Sequence, residues 1–236
     1  MDINLLSTRH LSAESIKDAA WCGIHIDITP FIEVAIREDE ALLQSLLPLA
    51  GKPILAIFTS AYAVQALQEL MPEAPRTWNI ACTGGKTAQE AADWLGDAAI
   101  VATAPNAAQL AQKITALSAQ QVVFFCGDQR LDHLPVALQR SGIPLEEIIV
   151  YETKATPLVL DTQPYRGVLF FSPSAVHSFF SVNMLPFKCT VFAIGATTAA
   201  VVQSYTFHNT VISPEPGEQA MLDQVINYYN EERLIN

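Results

Sequence analysis

An α/β protein built from two similar lobes with parallel sheets is what this chain of 236 residues predicts, and three observations carry that prediction. The apolar run Val168-Leu-Phe-Phe breaks at Ser172-Pro173-Ser174 and continues as Ala-Val-His-Ser-Phe-Phe, and a second run from Val191 to Ile194 breaks at Gly195-Ala-Thr197-Thr198 before Ala-Ala-Val-Val. Each reads as a buried strand, a turn of small and hydroxyl residues, and a helix that starts on that turn. The pattern also occurs earlier: Ile54 to Val64 matches the first unit with Ser60 opposite Ser172, and Trp78 to Ala88 matches the second with Gly84 opposite Gly195 and Thr87 opposite Thr198. Two matches at nearly one offset read as an internal duplication. Strand and helix signals also alternate along the whole chain, which is the pattern of parallel sheets covered by helices on both faces.

Taken in order, Ile3 to Ser7 is a short strand, and Ser12 starts a helix that runs through Trp21 and closes at Gly23. Ile24-His-Ile-Asp-Ile alternates as a half-buried strand does. Thr29 to Val34 reads as an extended connector, because Pro30 has no N–H for a central ladder. An amphipathic helix is expected over Glu38 to Leu49, then the Ser60 unit with a helix over Ala61 to Leu70, then the Gly84 unit with a helix through Trp94. Ala98 to Thr103 is a strand, Ala107 to Leu117 a helix, and Val122 to Cys126 a strongly apolar strand. Gly127-Asp128-Gln-Arg130-Leu should open a helix ending near Gly142, with Asp128 as its cap. The extended segment that follows matches the N-terminal one, Gly142-Ile143 with Gly23-Ile24 and Val150-Tyr151-Glu152 with Phe31-Ile32-Glu33, so both are places for the chain to cross between lobes. A rigid Ser213-Pro-Glu-Pro-Gly loop leads to a last helix, Gln219 to Tyr229.

Composition narrows the function. Half the residues are apolar, enough to bury a core in each of two lobes of about a hundred residues. No apolar run reaches the roughly 18 residues of a membrane span, and the N-terminus lacks the layout of a signal peptide, so a soluble, cytoplasmic protein is expected, without membrane contact. A net charge of −11 argues against nucleic acid, whose phosphates call for a basic face. A small anion is compatible with that charge, because local N–H donors override the global field at contact distance. The four cysteines are far apart and lie mostly in apolar runs, as buried thiols do, and the histidines show no paired metal-ligand spacing. His177 and His208 read as packing residues.

Two successive strand–turn–helix units place two helix N-termini at one edge of a parallel sheet, where free N–H groups and the helix dipole attract anions. Ser60, Thr87, Ser172, Thr197 and Thr198 are the hydroxyls expected there, with Gly84, Gly85, Lys86, Ser174 and Gly195 in the same turns. Plain N-capping explains the hydroxyls equally well. Gly85-Lys86-Thr87 is not a phosphate-binding P-loop, since that motif needs glycine where Ile80 stands.

Together, Ser-Thr-Arg9, Phe-Thr-Ser60-Ala-Tyr-Ala-Val, Gly84-Gly-Lys-Thr87-Ala, Cys-Gly127-Asp-Gln-Arg130, Val-Tyr151-Glu-Thr, Phe-Ser172-Pro-Ser-Ala-Val, Ile-Gly195-Ala-Thr-Thr198-Ala and Ser213-Pro-Glu-Pro resemble the uroporphyrinogen-III synthase family over essentially the whole chain. The resemblance implies two flavodoxin-like or Rossmann-like lobes joined by a two-stranded linker with a cleft between them. Residues 1–33 and 153–236 would form one lobe, 34–149 the inserted one, and about 29–35 and 148–155 the linkers. It implies a cyclising lyase that takes hydroxymethylbilane to uroporphyrinogen III in heme biosynthesis, with no cofactor or metal. It further implies a monomer in transient contact with hydroxymethylbilane synthase. Tyr151 falls at the family's tyrosine and becomes the candidate proton donor. Arg9 and Arg130 become bidentate partners for substrate carboxylates, beside the turn residues already named. A two-lobed binding protein for a small anionic metabolite is the alternative, since it would share the scaffold.

Overall fold

The computed structural model of the chain describes residues 3–117 and 121–235. They divide into two compact units, Met1–Glu33 with Lys154–Asn236, and Val34–Thr153.

In the first unit, strand β1 (Ile3–Ser7) leads into helix α1 (Ala13–Trp21), and Ser12 caps that helix by accepting the Ser15 N–H. Strand β2 (Ile24–Ile28) follows. After the other unit the chain returns with strand β9 (Gly167–Phe170), helix α7 (Pro173–Phe180), strand β10 (Thr190–Ala193), helix α8 (Ala196–Tyr205), strand β11 (Thr210–Ile212) and helix α9 (Glu218–Ile235). The sheet order is β11-β10-β9-β1-β2, with every neighbouring pair parallel. Strands β9 and β10 are buried along their whole length, which is why they read as unbroken apolar runs rather than alternating ones. One sheet face packs on Met221, Leu222, Val225 and Tyr229 of α9. The other packs on Val176 and Phe179 of α7 and Val202 of α8.

Strand β3 (Ile32–Ile36) straddles the division, with Ile32 and Glu33 in the first unit and the rest in the second, and helix α2 (Glu40–Leu46) follows. Strand β4 (Leu55–Phe58), helix α3 (Ala61–Leu70), strand β5 (Asn79–Thr83), helix α4 (Lys86–Leu95), strand β6 (Ile100–Ala104), helix α5 (Ala107–Thr115), strand β7 (Val122–Gly127), helix α6 (His133–Arg140) and strand β8 (Leu145–Ala155) complete the second unit. The order is β3-β8-β7-β4-β5-β6. The sequence matches pair β4 with β9, β5 with β10 and the start of β8 with β2; by chain order β6 then answers to β11 and β7 to β1. The five matched strands therefore lie in one spatial order in both sheets, although in the first unit β1 and β2 come from the start of the chain.

The structure departs from the sequence reading in several places. The expected connector before Val34 forms a strand from Ile32, at the sheet edge, where Pro30 lies outside the ladder. Helix α2 is shorter than expected, since Asp39 caps it and Pro48 cannot extend it. Helix α9 starts one residue earlier and runs to Ile235. Helix α6 starts at His133 rather than near Arg130, because residues 128–130 are tied back to β8. Asp128 is accordingly no helix cap. His177 is exposed, with Nδ1 2.8 Å from the Tyr205 hydroxyl, instead of being packed inside. No helix among the described residues is long and apolar enough to cross a membrane.

Candidate functional site

Open parallel sheets expose their ligand-binding edge at the carboxyl ends of the strands, beside the point where strand order reverses. In the second unit that point lies between β4 and β7. Ser60 follows β4 and caps α3, its Oγ accepting the Tyr62 N–H at 3.2 Å. The Tyr151 ring lies against this turn, 5.9 Å from the Tyr62 ring. Burial pushes the Tyr151 phenol up, the Ser60 hydroxyl hydrogen-bonded to it pulls it partly back, and Cys126, Asp128 and Tyr62 add to the rise. Tyr151 therefore carries its proton at neutral pH.

One strand further, Gly84 donates its N–H to the Ala104 carbonyl at 2.9 Å. Gly85 turns the chain into α4 with φ of +66°, a conformation that suits glycine because it has no Cβ to clash. Lys86 is exposed at the first helical position, whereas Thr87 is buried beneath it.

The first unit repeats the scaffold with different occupants. Ser172 caps α7 by accepting the Ala175 N–H at 3.2 Å, with Pro173 at the first helical position, where its missing N–H costs nothing. Ser174 is half-buried in the same turn. Gly195 precedes α8 in an extended conformation open to any residue, Thr197 is exposed, and Thr198 is buried. Thr87 and Thr198 were both expected against a ligand; each is instead 6 % or less exposed, in its own unit. Each stands three residues past the first glycine of its turn, Gly84 or Gly195, and faces inward because the helix has already turned by then.

The two arginines also differ from expectation. Arg9 lies 4.0 Å over the Phe171 ring and pairs with Glu218 at 3.0 Å. The other Glu218 oxygen accepts the Ser12 N–H at 2.8 Å and the Ser15 hydroxyl at 2.7 Å. Burial raises the Glu218 carboxyl, but the Ser12 and Ser15 hydrogen bonds and the Arg9 charge outweigh it and hold the group below its ordinary range. Arg130 pairs with Glu147 and Asp132. Both guanidinium groups thus carry partners from the protein itself.

Sequence reading passed over Glu218, and took Gly127 as the opening of a helix rather than as the place where the Tyr151 ring lies. The turn Pro216-Gly217 before Glu218 was a visible sign of a helix-first carboxylate, but its partners lie at the other end of the chain. Cys82 and Cys126 are pushed by burial to about 11 and Cys189 to about 12, so these thiols stay protonated and inert.

The family model described as uroporphyrinogen-III synthase HemD matches residues 18–223. Among solved structures, the chain is similar to uroporphyrinogen-III synthetase from Helicobacter pylori 26695, at 19% identity and a TM-score of 0.67 over 97% of this chain and 100% of that one. It is also similar to a mutant uroporphyrinogen III synthase from the extreme thermophile Thermus thermophilus, at 14% identity and a TM-score of 0.60 over 98% and 99%. At such identities the two structures speak for the fold, while the family model covers most of the sequence; this chain belongs to the uroporphyrinogen-III synthase family.

Proposed function

We propose that this chain performs the reaction of its family, closing the linear tetrapyrrole hydroxymethylbilane to uroporphyrinogen III with inversion of ring D. The observation that carries the reading is the family match over residues 18–223. The reaction is a cyclising loss of hydroxide that passes through a spirocyclic intermediate. It asks a protein for one proton to the departing hydroxyl and for a folded substrate whose ring D attacks through its substituted carbon.

Tyr151 supplies the proton in this reading, because its phenol is held protonated beside Ser60 at the reversal of strand order. The electron-rich pyrrole nitrogens stabilise the cation that remains, so a weak acid suffices. The substrate's acetate and propionate arms meet Ser60, Ser172, Ser174 and Thr197, the turns at Gly84-Gly85 and Gly195, and Lys86. Each hydrogen bond to a charged group contributes about 1.5–3 kcal/mol. Four or five therefore reach the roughly 8 kcal/mol of micromolar binding, even in a protein of net charge −11. Arg9 and Arg130 receive a substrate arm only by exchanging their own carboxylate partners, and rank behind the neutral donors. We also infer a monomer acting in the cytoplasm. Brief contact with hydroxymethylbilane synthase fits a substrate that closes spontaneously.

A coupled assay tests the reading. Hydroxymethylbilane is generated by its upstream synthase, this protein is added, and the oxidised products are separated as isomers. Isomer III should dominate. If folded protein yields only isomer I, the product of spontaneous closure, the activity is absent and a ligand-holding role takes its place.

A further inference from the structure

The strand that carries Tyr151 breaks its own alternation at that residue. Strands β7 and β8 pair in regular register from Val122 opposite Leu145 to Cys126 opposite Ile149, and then Gly127 stands opposite Tyr151. Val150 is thereby the extra residue of a β-bulge, a local insertion that bends a strand and re-aims the side chains beyond it. Ile148 and Val150 face the apolar cluster beneath α3, as alternate residues of a strand should, and Ile149 between them is exposed. Regular alternation would put Tyr151 on the Ile149 face. It packs instead against the same cluster as Val150, which brings the ring beside Tyr62 and Ser60.

Two features make that placement possible. The ring lies across the bare Cα of Gly127, where a Cβ would stand 2.4 Å from Cε2 and 2.5 Å from Cζ of the tyrosine. The bulged strand is also gripped on its far side by the residues after Gly127. The Asp128 N–H donates to the Tyr151 carbonyl at 3.1 Å, Asp128 Oδ1 accepts the Thr153 N–H at 2.8 Å, and Gln129 Nε2 donates to the Thr153 carbonyl at 2.8 Å. The Asp128 residue is exposed, so it anchors the strand without being needed by any core.

We propose that Asp128, acting across the bare Gly127, is a positioning residue for Tyr151: its carboxylate holds Thr153 so that the bulge at Val150 keeps the phenol over Gly127 and at Ser60. This rests on the reading of Tyr151 as proton donor and adds to it the device that aims the donor.

The test uses Asp128→Ala, which removes the acceptor, and Asp128→Asn, which removes the charge but keeps a side-chain oxygen for Thr153. Asp128→Ala should lower kcat about tenfold with KM within twofold, and Asp128→Asn should restore most of the loss. In a Tyr151→Phe background Asp128→Ala should cost nothing further, because residues acting through one group are non-additive. Equal losses in the Ala and Asn variants, or the same loss with and without the Tyr151 hydroxyl, would overturn the proposal. Two readouts do not depend on turnover: Asp128→Ala should speed hydrogen exchange of the Thr153 amide and shift the ring resonances of Tyr151. If those stay in place the positioning role fails, whereas unchanged turnover in Tyr151→Phe defeats the donor role alone. Gly127→Ala approaches the same geometry from the ring side and should lower kcat as well; unaffected turnover there also counts against the device.

Discussion

The two sheet edges share one strand order and one capping serine, yet they are finished differently. In the second unit β7 continues to Gly127, and Tyr151 lies across its end. In the first unit β1 stops at Ser7, the Thr8 hydroxyl donates to the Leu169 carbonyl at 2.7 Å, and Arg9 folds onto Phe171 and Glu218. The residue that answers to Tyr151 is Ile32, packed on the apolar cluster around Phe31 and Phe179. A duplicated scaffold thus offers anion-attracting helix starts twice, while the residues added at the strand ends give one edge a protonated hydroxyl and the other a closed ion pair.

The largest expected effect comes from removing that hydroxyl. Tyr151→Phe should lower kcat by about 10²-fold or more, the range of general acid catalysis, with little change in KM. Ile32→Val, the matching trim in the other unit, should leave kcat within twofold. Steady-state kinetics on both variants decides whether the two edges differ in chemistry or only in packing, and comparable losses would erase the distinction.

Next in size is the ion pair of the first unit. Glu218→Gln leaves Arg9 without its charge partner and weakens the bonds from Ser12 and Ser15. A loss of about 1–2 kcal/mol is expected at neutral pH, discounted for the partial exposure of the arginine. The pH dependence has a definite sign. Because the folded carboxyl is held below its ordinary value of 4.5, its contribution is present above that pH and fades as pH falls through the lower folded value. Denaturant titrations of both proteins should therefore converge in acid, and a gap that persists there would mean that Glu218 acts through shape rather than charge.

How much of this was legible depends on whether a feature is local. The strand–turn–helix units were readable because an apolar run, a small-residue turn and a capping hydroxyl are neighbours in sequence, and Ser12, Ser60 and Ser172 cap the helices they precede. The inward turn of Thr87 and Thr198 was not, since it depends on where each helix begins relative to its glycine. Register across strands lies further out of reach. The bulge at Val150 is a property of β7 and β8 together, and nothing within Val-Tyr-Glu-Thr announces it. The pairing of Arg9 with Glu218 joins the two ends of the chain, so Arg9 looked free. Asp128 looked like a helix cap for a related reason: a loop aspartate before a helical stretch has the same local signature whether it serves that helix or the strand beside it.

The smallest expected effect separates the two capping serines. Ser60→Ala and Ser172→Ala each remove one side-chain acceptor from a helix start, and each should cost about 1 kcal/mol of stability. Their effects on turnover should differ. The Ser60 hydroxyl pulls the Tyr151 phenol back toward its ordinary value of 10.0, so its removal lets burial raise the phenol further and makes it a weaker acid. Activity that needs the protonated phenol falls as pH rises through the phenol's own pKa. In Ser60→Ala the alkaline limb of kcat should therefore move to higher pH while the plateau drops. In Ser172→Ala the limb should stay where it is in the parent protein, because the residue answering to Tyr151 in that unit is Ile32, which has no proton to lose. A limb that moves equally in both variants would detach Ser60 from the phenol and leave the two serines as nothing more than caps.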